Sequence, residues 1–145
     1  MSQPKPDVTQ RVEDSPSPVD VAYVEDQLNA YNIRVTGYDD YRPLAVFIRD
    51  ASSAILAGLT GYTWGGALKI EYIWVHDDYR GNGYGTQLIH AAEREALTRG
   101  CHQAVLDTHS FQAPDFYSKL GYAQCGLAQD WPLGHQQYYF TKRLG

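Results

Sequence analysis

Residues 68–100 read LKIEYIWVHDDYRGNGYGTQLIHAAEREALTRG, a strand, a glycine-rich turn and a helix in succession. Leu68, Ile70, Ile73 and Val75, with Tyr72 and Trp74 between them, make a short β-branched and aromatic run, the pattern of a strand covered on both faces. His76, Asp77 and Asp78 end it, and Arg80-Gly81-Asn82-Gly83-Tyr84-Gly85 follows. Leu88, Ile89, Ala92, Ala96 and Leu97 then recur at helical spacing, with Arg94 and Arg99 late in the helix and Gly100 as its stop. A strand that runs through glycines into a helix leaves backbone N–H groups unpaired at the helix N-terminus, where an anion fits.

The spacing narrows the choice of anion. A dinucleotide fingerprint that starts at Gly81 needs glycine or alanine at position 86, where Thr86 stands. A P-loop ends in Gly-Lys-Ser/Thr, and the turn contains no lysine. What remains is Arg80-x-x-Gly83-x-Gly85, which serves either as a phosphate cradle or as a tight connection.

Working outward, residues 1–18 carry four prolines among Ser, Gln, Asp and Lys, too little apolar matter to order, so a disordered tail is expected there. Val21, Val24, Leu28 and Tyr31 predict one amphipathic helix over Val19 to Tyr31, with Asp20 as its cap. Leu44 to Arg49 and Ile55 to Tyr62 form a hairpin around Asp50-Ala51-Ser52-Ser53, and Trp64-Gly65-Gly66 turns the chain into the central strand. Beyond the central helix, Gln103 to Asp107 can pair parallel to that strand, because the helix supplies the crossover. Pro114 opens a short helix with Phe116, Tyr117 and Leu120 before Gly121. Tyr122 to Leu127 and Gln136 to Lys142 read as closing antiparallel strands joined by the long Asp130 to His135 loop.

At 145 residues and 43% hydrophobic, the chain supports one core, so residues 19–145 are expected to form a single domain. A net charge of −5 without a dense Lys/Arg block points away from nucleic acid and toward a small cationic substrate. No apolar run approaches the ~20 residues of a membrane span, and no signal peptide core is seen, so no membrane role and a cytoplasmic location are expected. Cys101 and Cys125 stand far apart without clustered histidines, which suggests neither a metal site nor a disulfide.

A second motif, Ser110-Phe111-Gln112-Ala113-Pro114-Asp115-Phe116-Tyr117-Ser118-Lys119-Leu120-Gly121-Tyr122, follows the parallel strand. Together with the glycine turn it resembles the GNAT superfamily of N-acetyltransferases, over roughly Leu44 to Gly145. The resemblance implies an α/β (α+β) fold: a mixed central sheet flanked by helices, whose central parallel βαβ unit splays to bind acyl-CoA. It implies acetyl-CoA as cosubstrate, with Ile73, Trp74 and Val75 along the pantetheine arm and the residues Arg80, Gly81, Asn82, Gly83, Tyr84 and Gly85 at the pyrophosphate. Ser110 is a further candidate contact to the arm, although many members carry asparagine near that position.

The family's general acid is a tyrosine in the second motif, here Tyr117, which by residue type alone would be a core aromatic. For the general base, Glu71 in the central strand ranks first by position. Asp107, which ends the next strand, and His109 in the loop after it are alternatives, and only His109 has an ordinary pKa near neutrality. The expected acceptor is a primary amine of a small molecule or peptide. A catalytically idle acyl-CoA-binding sensor or partner module is the alternative, and Tyr117 speaks for the enzyme. Only about 25 residues, Val19 to Pro43, precede the hairpin outside the tail, so the acceptor wall is short. It is open to a large substrate, or completed by the Asp130 to His135 loop or by a second subunit in a homodimer.

Overall fold

The structure, a computed structural model, describes residues 2–145, so Met1 of the expected tail lies outside the described residues. The chain divides into two units, one ending at Gly37 and one spanning Tyr38–Gly145. In the first unit, residues 2–17 carry no helix or strand, and α1 spans Pro18–Thr36. The helix therefore runs past the expected Tyr31, and Asp20 sits in its first turn and not at its cap. Pro18 opens it, since proline's fixed φ suits a first helical turn and its missing N–H is no loss there. Gly37, at φ 76°, closes it by donating its N–H to the Ile33 carbonyl at 2.7 Å. None of the residues of α1 is buried. Among the described residues, no helix is long and apolar enough to cross a membrane.

The second unit holds a six-stranded sheet in the order β1-β2-β3-β4-β6-β5. The strands are β1 (Arg42–Arg49), β2 (Ile55–Trp64), β3 (Ala67–Val75), β4 (Gln103–His109), β5 (Ala123–Gln129) and β6 (Gln136–Arg143). Two helices punctuate them: α2 (Tyr84–Thr98) between β3 and β4, and α3 (Pro114–Lys119) between β4 and β5. Only β3 and β4 pair in parallel, as α2 is the only helical crossover between adjacent strands. The β1–β2 turn is fixed by Asp50, whose Oδ1 accepts the N–H groups of Ser52 at 2.8 Å and Ala54 at 3.0 Å.

The core lies between the sheet and α2. Leu88, Ile89, Ala92 and Ala96 of α2 are fully buried against Ala57, Leu59 and Leu68, one face of the helix meeting one face of the sheet. Arg99, just past α2, ties the helix end to the hairpin. Its Nη1 donates to the Arg42 and Pro43 carbonyls at 3.2 and 3.0 Å and to Thr63 Oγ1 at 3.1 Å. Cys101 is buried in this core, whereas Cys125 is exposed on β5.

The central strand departs from the expected two-sided burial. Leu68 and Ile70 are buried, but Glu71, Tyr72 and Trp74 are exposed. The β2–β3 register explains it: Thr60 faces Tyr72 and Gly61 faces Ile70, which leaves Glu71 as an unpaired bulge residue. Gly61 makes the bulge sterically allowed, because a Cβ there would overlap the Lys69 carbonyl oxygen.

Candidate active site

The parallel ladder between β3 and β4 stops at the pair Ile70 and Leu106. Both strands continue, β3 to Val75 and β4 to His109, but they no longer bond to each other. β3 keeps β2 on its other side through Val75, and β4 keeps β6 through His109. One edge of Glu71 to Val75 therefore presents backbone N–H and C=O groups without a strand partner, a template for an extended ligand.

A cleft of about 760 Å³ opens at this gap. Ile73, Trp74 and Val75 line one wall together with Glu71, the bulge residue. Arg80, Gly81 and Gly83 line the mouth, with Tyr84 and Gly85 from the first turn of α2. Gly81 and Gly83 adopt φ of 81° and 78°, conformations that side chains disfavour, and a Cβ at either would point into open space. Their N–H groups engage no backbone carbonyl, and those of the first helical turn have none by construction. The mouth is thus a ring of amide donors at the positive end of a helix. Arg80 adds a guanidinium, steadied by Asp77 at 3.0 Å and by the Val75 carbonyl at 3.4 Å.

Tyr117 closes the inner end. It is only 6% exposed, packed on Phe116 and Phe140 at ring separations of 5.1 and 6.0 Å, and it also lines the cleft. No hydrogen bond holds its hydroxyl among the described residues. Burial pushes its pKa up to about 12, because the phenolate would lose its hydration. Asp107 also lines the cleft, but both of its oxygens are committed. Oδ1 lies 3.1 Å from Lys69 Nζ and Oδ2 accepts from Gln137 Nε2.

The Acetyltransferase (GNAT) family model matches residues 10–122. The chain belongs to the GNAT acetyltransferase family. It is 32% identical to an acetyltransferase of Agrobacterium fabrum over 83% of this chain and 88% of that protein. It is 33% identical to blasticidin-S acetyltransferase of Streptomyces morookaense over 77% and 85% of the two chains. Among solved structures, an acetyltransferase from Bacillus cereus superposes with a TM-score of 0.82 at 32% identity, covering 92% of this chain and 98% of that one.

Not every residue expected at the site of this GNAT chain faces the cleft. Asn82 turns away and donates from Nδ2 to the Tyr79 carbonyl at 2.9 Å, stabilising the turn from behind. Ser110 also stands off. Its Oγ accepts the Gln136 N–H at 3.1 Å and its own N–H donates to the Gln136 carbonyl at 2.8 Å, so it fastens the loop to β6, outside the cleft lining. His109 lies outside the lining too, with Nδ1 3.1 Å from the Trp131 carbonyl and its ring stacked on Phe111. Conversely, Tyr72, Tyr79, Phe111 and Phe116 line the cleft without having been singled out. Tyr72 could have been found from its place beside Glu71, but recognising it required the bulge that turns it outward.

The cleft suits acetyl-CoA. Its free strand edge can pair with an extended amide-bearing arm, and its glycine turn has room and donors for a pyrophosphate.

Proposed function

We propose that the chain moves an acetyl group from acetyl-CoA to a primary amine of a small molecule or peptide, by direct transfer with both substrates bound. The observation that carries this reading is Tyr117: a buried, neutral phenol with no hydrogen-bond partner among the described residues, lining a cleft whose wall is an unpaired strand edge. When bound, acetyl-CoA supplies a thioester, an activated acyl group with a sulfur leaving group.

The chain's own residues do the rest. The edge of Ile73 to Val75 aligns the arm as an added strand, and the amides of Gly81, Gly83 and α2 hold the pyrophosphate. Glu71, exposed at the bulge, takes the proton that the attacking nitrogen must lose, directly or through one water. Tyr117 donates its proton to the departing sulfur; Glu71 then releases its proton to solvent and the phenolate takes one back from solvent, which restores both groups. Asp107 takes no part, being held by Lys69 and Gln137. The Streptomyces relative is by name an acetyltransferase of blasticidin S, which supports a small-molecule acceptor.

The test is acetyl-CoA affinity in Gly83→Val, measured by calorimetry beside the wild type, with coenzyme A release scored across a panel of amines. We expect affinity to fall at least about tenfold, since Val resists the positive φ and would intrude between the amides and the pyrophosphate. Unchanged affinity in a folded variant would reduce the glycines to a turn. Binding without release of coenzyme A from any amine would leave an acyl-CoA-binding module.

A further inference from the structure

The most developed cluster outside the acyl-binding wall is a row of four aromatic rings where β4 ends and the β5–β6 loop returns. Phe111 lies flat on His109, with 5.3 Å between ring centres and 2° between planes. Trp131 meets His109 edge-on at 5.8 Å, and His135 meets Phe111 edge-on at 5.0 Å. Phe111 is 57% exposed and Trp131 56%, so neither ring is a core residue. Yet both are braced. The Trp131 N–H donates to the His135 carbonyl at 3.2 Å, the His135 N–H to the Pro132 carbonyl at 2.9 Å, and the Trp131 carbonyl meets His109 Nδ1 at 3.1 Å. Ordering exposed aromatics gains little for folding, and a surface so fixed is preorganised for something flat to lie on it.

Position and charge say what lies there. Phe111 is shared with the cleft, so an occupant of the row would have its other end in reach of the transfer site. Aromatic faces are electron-rich and attract cations, most strongly planar ones that can stack. The carboxylates lining the adjoining cleft are Glu71 and Asp107, the latter paired with Lys69, on a chain of net charge −5. We infer that the Phe111–Trp131 wall is the acceptor subsite, and that it selects a small amine whose far end is a planar, delocalised cation such as a guanidinium. The inference rests on the transferase reading. It makes His109 a positioning residue: with Nδ1–H donated to the Trp131 carbonyl, the ring backs Phe111 and fixes the loop.

Three primary amines of similar length separate the contributions: agmatine, with a planar cation; phenethylamine, flat and neutral at the far end; and pentylamine, neither. In acetyl transfer with saturating acetyl-CoA, agmatine should exceed the other two in kcat/KM by about tenfold, the difference residing in KM. Trp131→Ala should bring the three within about twofold of one another while the KM for acetyl-CoA stays unchanged. Equal use of all three by the wild type, or a preference that survives Trp131→Ala, would overturn the inference and leave the transferase intact. Phenethylamine matching agmatine would overturn the cation requirement.

Binding is read separately by following the Trp131 indole N–H in NMR spectra, assigned by its loss in Trp131→Phe, as agmatine is titrated in. A saturable shift upholds the wall even if no amine is acetylated, in which case it is the transferase reading that fails. No shift overturns the wall whatever the kinetics show.

Discussion

The two ends of the α3 segment each carry a buried tyrosine, and their surroundings differ in one respect. Tyr117 inside the helix and Tyr122 just beyond it are 6% and 3% exposed, and burial raises the pKa of both. Tyr122 gives its hydroxyl proton to Glu93 Oε2 at 2.8 Å, and Glu93 in turn is held by Lys142 Nζ at 2.9 Å. The nearby carboxylate raises the Tyr122 pKa further, on top of its burial. Tyr117 has the same packing and no such partner. Burial makes a neutral phenol; only the absence of a competing acceptor leaves its proton for chemistry.

The comparison can be tested at each of its parts, and the largest effect should come from the far side. Lys142→Met leaves Glu93, which is 7% exposed, as a buried carboxylate without a cation, and should lower unfolding stability by about 3 kcal/mol. Urea denaturation measures this, and an unchanged midpoint would show that the cluster is hydrated. Next, Tyr117→Phe should reduce kcat on the order of 10²-fold, equivalent to ~2.7 kcal/mol of barrier, with stability and acetyl-CoA affinity retained. Wild-type speed in single-turnover experiments would make Tyr117 a packing residue. Tyr122→Phe should do the reverse, lowering stability by about 1–2 kcal/mol for the lost hydrogen bond while sparing kcat. Loss of turnover there would erase the distinction between the two.

The smallest effect is a pH dependence. A folded-state pKa of about 12 against an ordinary 10.0 means that Tyr117 adds stability fully present below pH 10, and lost as pH rises through 12. Between pH 9 and 11 the wild type should therefore lose ~1 kcal/mol more than Tyr117→Phe, Tyr122 being common to both. The rate should rise as the acceptor amine or its base deprotonates and then hold level past pH 10, because the acid keeps its proton. A descending limb near pH 10 would mean that the phenol titrates as if in water.

The sequence showed those parts of the fold and site that depend on local chemistry. The Asp50 turn, the glycine mouth and Pro114 opening α3 are each decided within a few residues. The mixed sheet with one parallel pair followed from a helix of crossover length. Hidden from it were relations between distant residues: Arg99 reaching Arg42, Glu93 reaching Lys142, and β6 settling between β4 and β5. Ser110 and His109 are neighbours at the end of β4, and partners on β6 and at Trp131 keep them out of the cleft lining. Gly61 gave no signal, because its need for a bare backbone comes from a carbonyl on the neighbouring strand.

The bulge at Glu71 divides β3 into two phases. Before it the even-numbered residues Leu68 and Ile70 face the core; after it the odd-numbered Ile73 and Val75 pack there instead. A substitution at position 71 changes one side chain, whereas removing that residue would make the pairs Gly61–Ile70 and Thr60–Tyr72 consecutive and close the bulge. The frame of the strand would become continuous from Leu68 onward, and the offset that presents Glu71 and Tyr72 side by side to solvent would vanish. The geometry of the site is therefore carried partly by a count of residues, and a gap one position wide could matter more to it than several exchanged side chains.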